Sequence, residues 1–273
     1  MSPILKKWIP LIVCLLLGAW IFQACKTVPI TGRRKLSLMP EAQVRTMSFQ
    51  QYAQVLEEAE LSKDSDQVQL VRRVGERIQA AVEKYMSSTG HEEVLDGFEW
   101  EFNLIESNQV NAWCMPGGKV VFYTGILPVC ADEKGIAVVM GHEVAHAIAG
   151  HGSERMSQQV LAQMGQQVIT AATISESDEL RSIYLTAFGA AAQLGALLPF
   201  SRKHESEADQ MGLIFMALAG YDPRAAPEFW RRMAAQSGEK PPEFVSTHPS
   251  DQRRISDLEM QMASALGYYT PQP

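Results

Sequence analysis

His142-Glu143-Val144-Ala145-His146 is the run whose residue types and spacing most directly imply chemistry. In a helix, positions i and i+4 share a face, so both imidazoles can reach one metal ion. Glu143 then stands beside them, where a carboxylate can take a proton from an attacking water. Two nitrogen ligands and a base on one turn suit zinc-assisted hydrolysis of a peptide bond. The flanks are apolar, with Ile136, Val138, Val139 and Met140 before the run and Ala147 and Ile148 after it. They argue for a buried helix over Gly135–Gly152 rather than a surface helix with two solvated histidines. A buried helix carrying two histidines and a glutamate must find partners for them.

A catalytic zinc site takes three protein ligands and keeps one position open. The other histidines are His91, His151, His204 and His248. A third histidine six residues after His146 with a glycine between is excluded, because Gly152 and Ala149 hold those positions. His151 falls five residues past His146 and is expected to point off the ligand face. The third ligand is expected within Ser201–Tyr221. There Glu205 and Asp209 stand at i and i+4 and can both face the first helix. Glu205 is assigned to zinc, one ion per chain. Asp209 is assigned to accept a hydrogen bond from a ligand histidine, His142, and so fix its ring. Glu207, two positions on, is expected to point elsewhere. A charge run is usually a solvated face, but Ala208, Met211, Gly212, Ile214 and Phe215 mark this helix as largely buried. A structural zinc site is closed and usually sulfur-rich, whereas this one offers two histidines and a carboxylate with a base alongside.

The elements that must hold these residues follow from periodicity. Residues 41–60 and 66–87 read as helices, the second with Val68, Val71, Val74, Ile78 and Val82 at helical spacing. Residues 87–97 form a polar loop in which His91 is exposed and without a role. Residues 98–106, 109–115 and 118–123 read as strands, the last two joined by a turn at Pro116-Gly117-Gly118. Together they predict a small antiparallel sheet just before the histidine helix, with an edge that can take an extended chain by strand addition. Residues 155–173 and 177–197 read as two helices. The apolar stretch Tyr184–Leu198 is taken first as plain core, and otherwise as a lid or a surface for lipid or a partner. Helices over 202–220, 223–236 and 250–266 complete the chain. The fold class is α+β, mainly helical, a single zincin-like domain over residues 41–273.

The chain has 273 residues, 46% of them hydrophobic, and a net charge of -7. That is enough for one substantial core, and the acidity excludes nucleic acid as a partner. Lys6 and Lys7 precede an apolar run from Trp8 to Phe22, followed by Ala24-Cys25. Residues 1–24 therefore read as a signal peptide, with Cys25 as a lipidated N-terminus and residues 25–40 as a tether that packs on the domain. An uncleaved N-terminal anchor is the alternative. Both place the domain at a membrane surface facing the periplasm, with the outer membrane favoured. Cys114 and Cys130 are either a disulfide or two buried free thiols. Neither has a histidine arranged to activate it.

Beyond the histidine run, the chain resembles the M48 family of zinc metallopeptidases, and within it the small periplasmic lipoproteins of bacteria. The family also includes the CAAX prenyl endopeptidases and the mitochondrial inner-membrane quality-control protease. The likeness is carried by Asn111-Ala112 with Pro116-Gly117-Gly118-Lys119, Tyr123–Leu127, Gly141–His146, Ser201–Asp209, Ser246–Pro249 and Arg254-Ile255. One departure is Ser201, where many relatives carry asparagine; serine keeps the hydrogen-bonding capacity. The resemblance implies that His142, His146 and Glu205 bind zinc and that Glu143 is the base. It implies that His248 lies near the zinc, either donating to the oxyanion or filling the open position in a resting state. It puts Asn111 near the cleft, to hold the scissile carbonyl or simply to cap a strand turn. Arg254 is assigned with Asn111 to the substrate side, anchoring the His248 loop or pairing with a nearby carboxylate. The expected function is an envelope-anchored endopeptidase acting on unfolded or misassembled proteins, with envelope assembly proteins as further partners. The alternative is a chaperone-like or scaffolding lipoprotein with latent activity.

Overall fold

The computed structural model describes residues 25–193, 198–236, 243–248 and 252–271. Expectations for residues 1–24 and Pro249, and for the side chains of Ser201, Ser246 and Thr247, lie outside the described residues.

The described chain opens with a short antiparallel hairpin, β1 (Cys25–Thr27) and β2 (Arg34–Leu36). Two helices follow, α1 (Glu41–Glu58) and α2 (Ser65–Thr89). The Asp64 side chain caps α2 by accepting from the Asp66 and Gln67 amides, and Gly90 ends it in the left-handed conformation. The periodic apolar residues Val71, Val74, Ile78 and Val82 are all buried.

Strands β3 (Glu101–Ile105), β4 (Ala112–Met115) and β5 (Lys119–Tyr123) form a three-stranded sheet in the order β3-β5-β4. The β4–β5 hairpin is antiparallel as expected, but β3 pairs with β5 in parallel, so the sheet is mixed. Residues 106–111 carry the chain past the position that β5 later fills, and β5 returns into the gap. Alternating polarity sets which face of a strand is buried and carries no information about its direction.

The sheet leads into α3 (Glu133–Ala149), buried on nearly every side as its all-round apolar sequence requires. The helix stops at Gly150, with φ of 70°, and a new helix α4 (His151–Ala172) starts at the next residue. Helix α5 (Asp178–Ala192) folds back on α4, where a side chain at Gly165 would strike the Phe188 ring. This hairpin corrects the core assignment for Tyr184–Leu198 as far as it is described: none of the described residues of α5 is buried. Val168 is 66% and Ile174 77% exposed. Several of the hairpin's apolar residues face outward because α5 packs mainly on α4 alone.

Helix α6 (Leu198–Leu218) then crosses α3, followed by α7 (Ala225–Ala235), a single helical turn at Glu243–Thr247 and α8 (Gln252–Leu266). The α3–α6 contact is backbone against backbone. A Cβ on Gly141 would lie 2.8 Å from the Gly212 oxygen, and one on Gly212 would lie 2.9 Å from the His142 nitrogen. Two glycines thus set how closely the histidine and glutamate helices approach. Among the described residues, no helix is long and apolar enough to cross a membrane.

Candidate metal centre

His142 and His146 project from one face of α3, with their Nε2 atoms 3.1 Å apart. From α6, Glu205 brings Oε2 to 3.4 Å from His142 Nε2 and Oε1 to 3.4 Å from His146 Nε2. His248, just after the Glu243–Thr247 turn, places Nδ1 2.9 Å from Glu205 Oε2 and 3.2 Å from His142 Nε2. One ligand atom from each of the four falls within 4.8 Å of the others.

This donor set fits one zinc ion. Zinc–nitrogen bonds of about 2.0–2.1 Å in a tetrahedron put ligand atoms about 3.3 Å apart, which matches the separations above. Three imidazole nitrogens and a carboxylate converge on one point, and a cation balances that charge. Glu205 Oε1 is buried and accepts no hydrogen bond among the described residues. Burial pushes His142 down, but Asp209 and Glu205 outweigh it and hold the ring at about 9. His146 is driven well below its ordinary value, first by burial. Glu205 lies well below the carboxylate range despite burial, through His146, His142 and His248.

Glu143 is buried beside the donors and directs its Oε1 toward His248 Nε2 at 3.5 Å. That oxygen accepts no hydrogen bond among the described residues. Burial raises the Glu143 carboxyl, with His248 and His142 opposing. A raised, unengaged carboxylate is what a base needs. The edge strand β4 packs against α3, and its Cys114 thiol is pushed up by burial and by the negative charge of Glu143. Cys114 and Cys130 are free thiols.

Behind the donors, Asp209 Oδ1 lies 2.9 Å from His142 Nδ1, as its i+4 spacing anticipated. Arg254 grips Asp209 with Nε and Nη2, both at 2.7 Å, and donates from Nη1 to the His248 carbonyl at 3.3 Å. Its guanidinium lies 3.3 Å from the Trp230 ring centroid and the residue is only 6% exposed. The substrate-side assignment of Arg254 therefore gives way to its other expected roles: it anchors the His248 loop and pairs with a carboxylate. The Asn111 side chain accepts from the Ala112 amide at 2.9 Å, the strand-turn cap.

A second buried polar cluster, which the spacing did not predict, backs the other ligand histidine. His151 Nδ1 lies 2.8 Å from His146 Nδ1, and its Nε2 lies 2.9 Å from Glu207 Oε2. The expectation that His151 points off the site fails because Gly150 breaks the helix and resets the periodicity. Glu207 does point away from the donors, but into this buried cluster rather than to solvent. His204 stacks on His151 with ring centroids 4.2 Å apart and bonds Glu154 at 2.9 Å. Arg33, from the N-terminal hairpin, bridges Glu207 at 2.7 Å and Glu154 at 2.8 Å, and Thr31 also donates to Glu207. Against the upward push of burial, His151, Thr31 and Arg33 hold Glu207 at about 2. His204 and Arg33 do the same for Glu154. Burial drives His151 to about 4. The available signal in the sequence is two His-x-x-Glu pairs, His151/Glu154 and His204/Glu207. Each histidine bonds the glutamate of the other pair.

The sequence profile of peptidase family M48 matches residues 73–262. The chain is 34% identical to the mitochondrial metalloendopeptidase OMA1 of Schizosaccharomyces pombe, over 91% of this chain and 69% of that protein. It is 30% identical to human OMA1 over 92% of this chain and 48% of the relative. It is 31% identical to the beta-barrel assembly-enhancing protease of Yersinia pestis over 58% of this chain and 33% of the relative. The chain thus spans about two thirds of the fission-yeast protein and half or less of the other two.

Proposed function

Taking as premise that this chain belongs to peptidase family M48 and is a metalloendopeptidase, we propose that it cleaves unfolded or misassembled proteins at a bacterial cell envelope, held there by lipid on Cys25. The observation that carries the peptidase chemistry is the convergence of His142, His146, Glu205 and His248 beside the unengaged carboxylate of Glu143. His142, His146 and Glu205 would hold the zinc. When bound, zinc supplies a Lewis acid and makes water a nucleophile at neutral pH. Glu143 takes the proton of the attacking water and delivers it to the leaving amine. The His248 imidazole, its Nε2 directed toward Glu143, donates to the developing oxyanion. Asp209 and His151 fix the two ligand rings through their Nδ1 atoms.

The outer edge of β4, which pairs with no other strand among the described residues, supports an extended, unfolded substrate, because main-chain pairing accepts many side chains. The signal-like residues 1–24, Cys25 and the similarity to the Yersinia protease support the envelope setting. Outer-membrane attachment and contact with envelope assembly proteins complete this reading. Mass spectrometry of the mature N-terminal peptide tests the anchor; an intact Met1 terminus would overturn it.

The decisive experiment measures zinc content and casein cleavage for the full chain in detergent, wild type against Glu143→Gln. One zinc per chain in both, with cleavage lost only in the variant, is the expected result. A variant that cleaves like wild type removes Glu143 from the base role, and a chain that binds no zinc removes the metal mechanism.

The position of His248 favours one second reading, a scaffolding lipoprotein with latent activity. Its Nδ1 completes the donor set and must withdraw if substrate is to enter. That reading expects Glu143→Gln to rescue a deletion strain.

A further inference from the structure

A cavity of about 420 Å³ opens at the far end of β4. Pro116 and Gly117 of the β4–β5 turn form one wall, and Ala147 and Gly150 at the end of α3 form another. Helix α3 leads there from the base, and β4 packs against α3. Ala147 is one helical turn beyond Glu143, roughly 6 Å along the axis. Pro116 is two strand residues beyond Cys114, roughly 7 Å. The cavity therefore lies about two to four residues along an extended chain from the bond next to Glu143.

Its charge is unbalanced. Lys35 lines it, 7% exposed, with no ion pair or hydrogen bond among the described residues. Arg45 also lines it, half-buried and equally unpaired among the described residues. The other charges there are matched: Lys26 bridges Glu41 at 3.0 Å and His91 lies 3.8 Å from Glu93. The Lys35 ammonium reaches the carboxyl end of α3 only because Gly150 lacks a Cβ, which would otherwise strike Nζ. The helix dipole there compensates part of the charge. An ammonium buried without a full counter-charge remains costly. Burial pushes the Lys35 ammonium below its usual range, with Glu41 pulling it back.

Resting on the peptidase reading and adding a substrate preference to it, we propose that this cavity is a subsite for an acidic side chain of the substrate, read by Lys35 and Arg45. For a chain paired antiparallel to β4, that side chain lies about two to four residues N-terminal to the scissile bond. The carboxylate supplies the counter-charge Lys35 lacks, and the N-terminal hairpin becomes part of the substrate-binding surface.

The test uses the full chain in detergent and quenched fluorescent peptides carrying Glu, Gln or Lys at the second, third or fourth position before the cleaved bond. At one position kcat/KM for Glu is expected to exceed that for Gln by about tenfold, the scale of a charge-assisted hydrogen bond, with Lys the poorest. In Lys35→Gln or Arg45→Gln the Glu/Gln ratio falls toward one. Because the ratio is read within one preparation, partial misfolding of a variant cancels, and Arg45 gives a second test at a less buried site. Equal cleavage of Glu and Gln peptides by wild type overturns the subsite and leaves the peptidase standing. A ratio unchanged in both variants also overturns it. Failure to cleave any peptide or casein overturns the peptidase reading and the subsite with it.

Discussion

At the scale of single residues, the ligand histidines are held by unequal means. His142 leans on a carboxylate, Asp209, which Arg254 fixes in turn. His146 leans on a neutral ring. Burial keeps His151 uncharged near neutral pH. With His146 Nε2 facing the metal, its Nδ1–H donates to His151 Nδ1, and His151 Nε2–H donates to Glu207. This relay extends the usual carboxylate–histidine–metal arrangement by one ring. His151→Phe keeps an aromatic ring, though a bulkier one, to stack on His204 and removes the acceptor. It is expected to weaken zinc binding by about 10–100-fold, read by competition with a chromogenic chelator, while circular dichroism stays unchanged. Equal affinity in the variant would make His151 a packing residue only. Arg254 gives a contrasting case. It touches Asp209 and the His248 carbonyl and is shielded by Trp230. Arg254→Gln should therefore lower kcat and zinc affinity while KM moves little. A rise in KM with kcat preserved would restore a substrate-binding role.

At the scale of elements, the site is the product of one helix crossing. The backbones of α3 and α6 touch at Gly141 and Gly212. Gly141 directly precedes the ligand His142, and Gly212 lies on the same helix as the ligand Glu205. The crossing therefore sets the distance between the two halves of the donor set. Gly212→Ala would put a Cβ 2.9 Å from the His142 nitrogen and force the helices apart. It is expected to cost about 1–3 kcal/mol, read from the urea midpoint, and to lower zinc content in the same preparation. A variant as stable and as zinc-loaded as wild type would show that the crossing has slack. Periodicity made these helices legible because burial of one face, or of every face in α3, is written directly in residue type. Strand direction was not legible, because alternation is the same for parallel and antiparallel neighbours, and β3 is parallel to β5. The restart of the helix at His151 depends on one glycine with a positive φ, and a glycine in sequence does not state which conformation it takes. The α4–α5 hairpin misled for a different reason. Apolar composition states that a segment resists water, not which partner covers it, and α5 is unburied along its described length.

At the scale of the whole molecule, the N-terminal hairpin is joined to the catalytic half through buried charge. Arg33 binds Glu154 and Glu207, and those glutamates bind His204 and His151. Sequence could not reveal this link, since it joins residues far apart along the chain, although the two His-x-x-Glu pairs marked its other end. Arg33→Met leaves two carboxylates without their cation and is expected to cost about 3 kcal/mol at pH 7. The pH dependence identifies the cause. Folding lowers the Glu154 carboxyl from its ordinary value to about 2. Its contribution is therefore complete above the unfolded value of about 4.3 and is lost as pH falls toward 2, because the unfolded chain takes up the proton first. Without Arg33 the folded value rises and that loss shrinks. The stability gap between wild type and Arg33→Met should thus be widest at about pH 6–7 and close progressively below about pH 5. Urea midpoints at matched zinc across pH 7 to 3 measure it, and comparing the two proteins cancels the acid release of zinc common to both. A gap that stays constant to pH 3 would mean that Arg33 acts through packing, and that the hairpin is fastened to the site by contact rather than by charge.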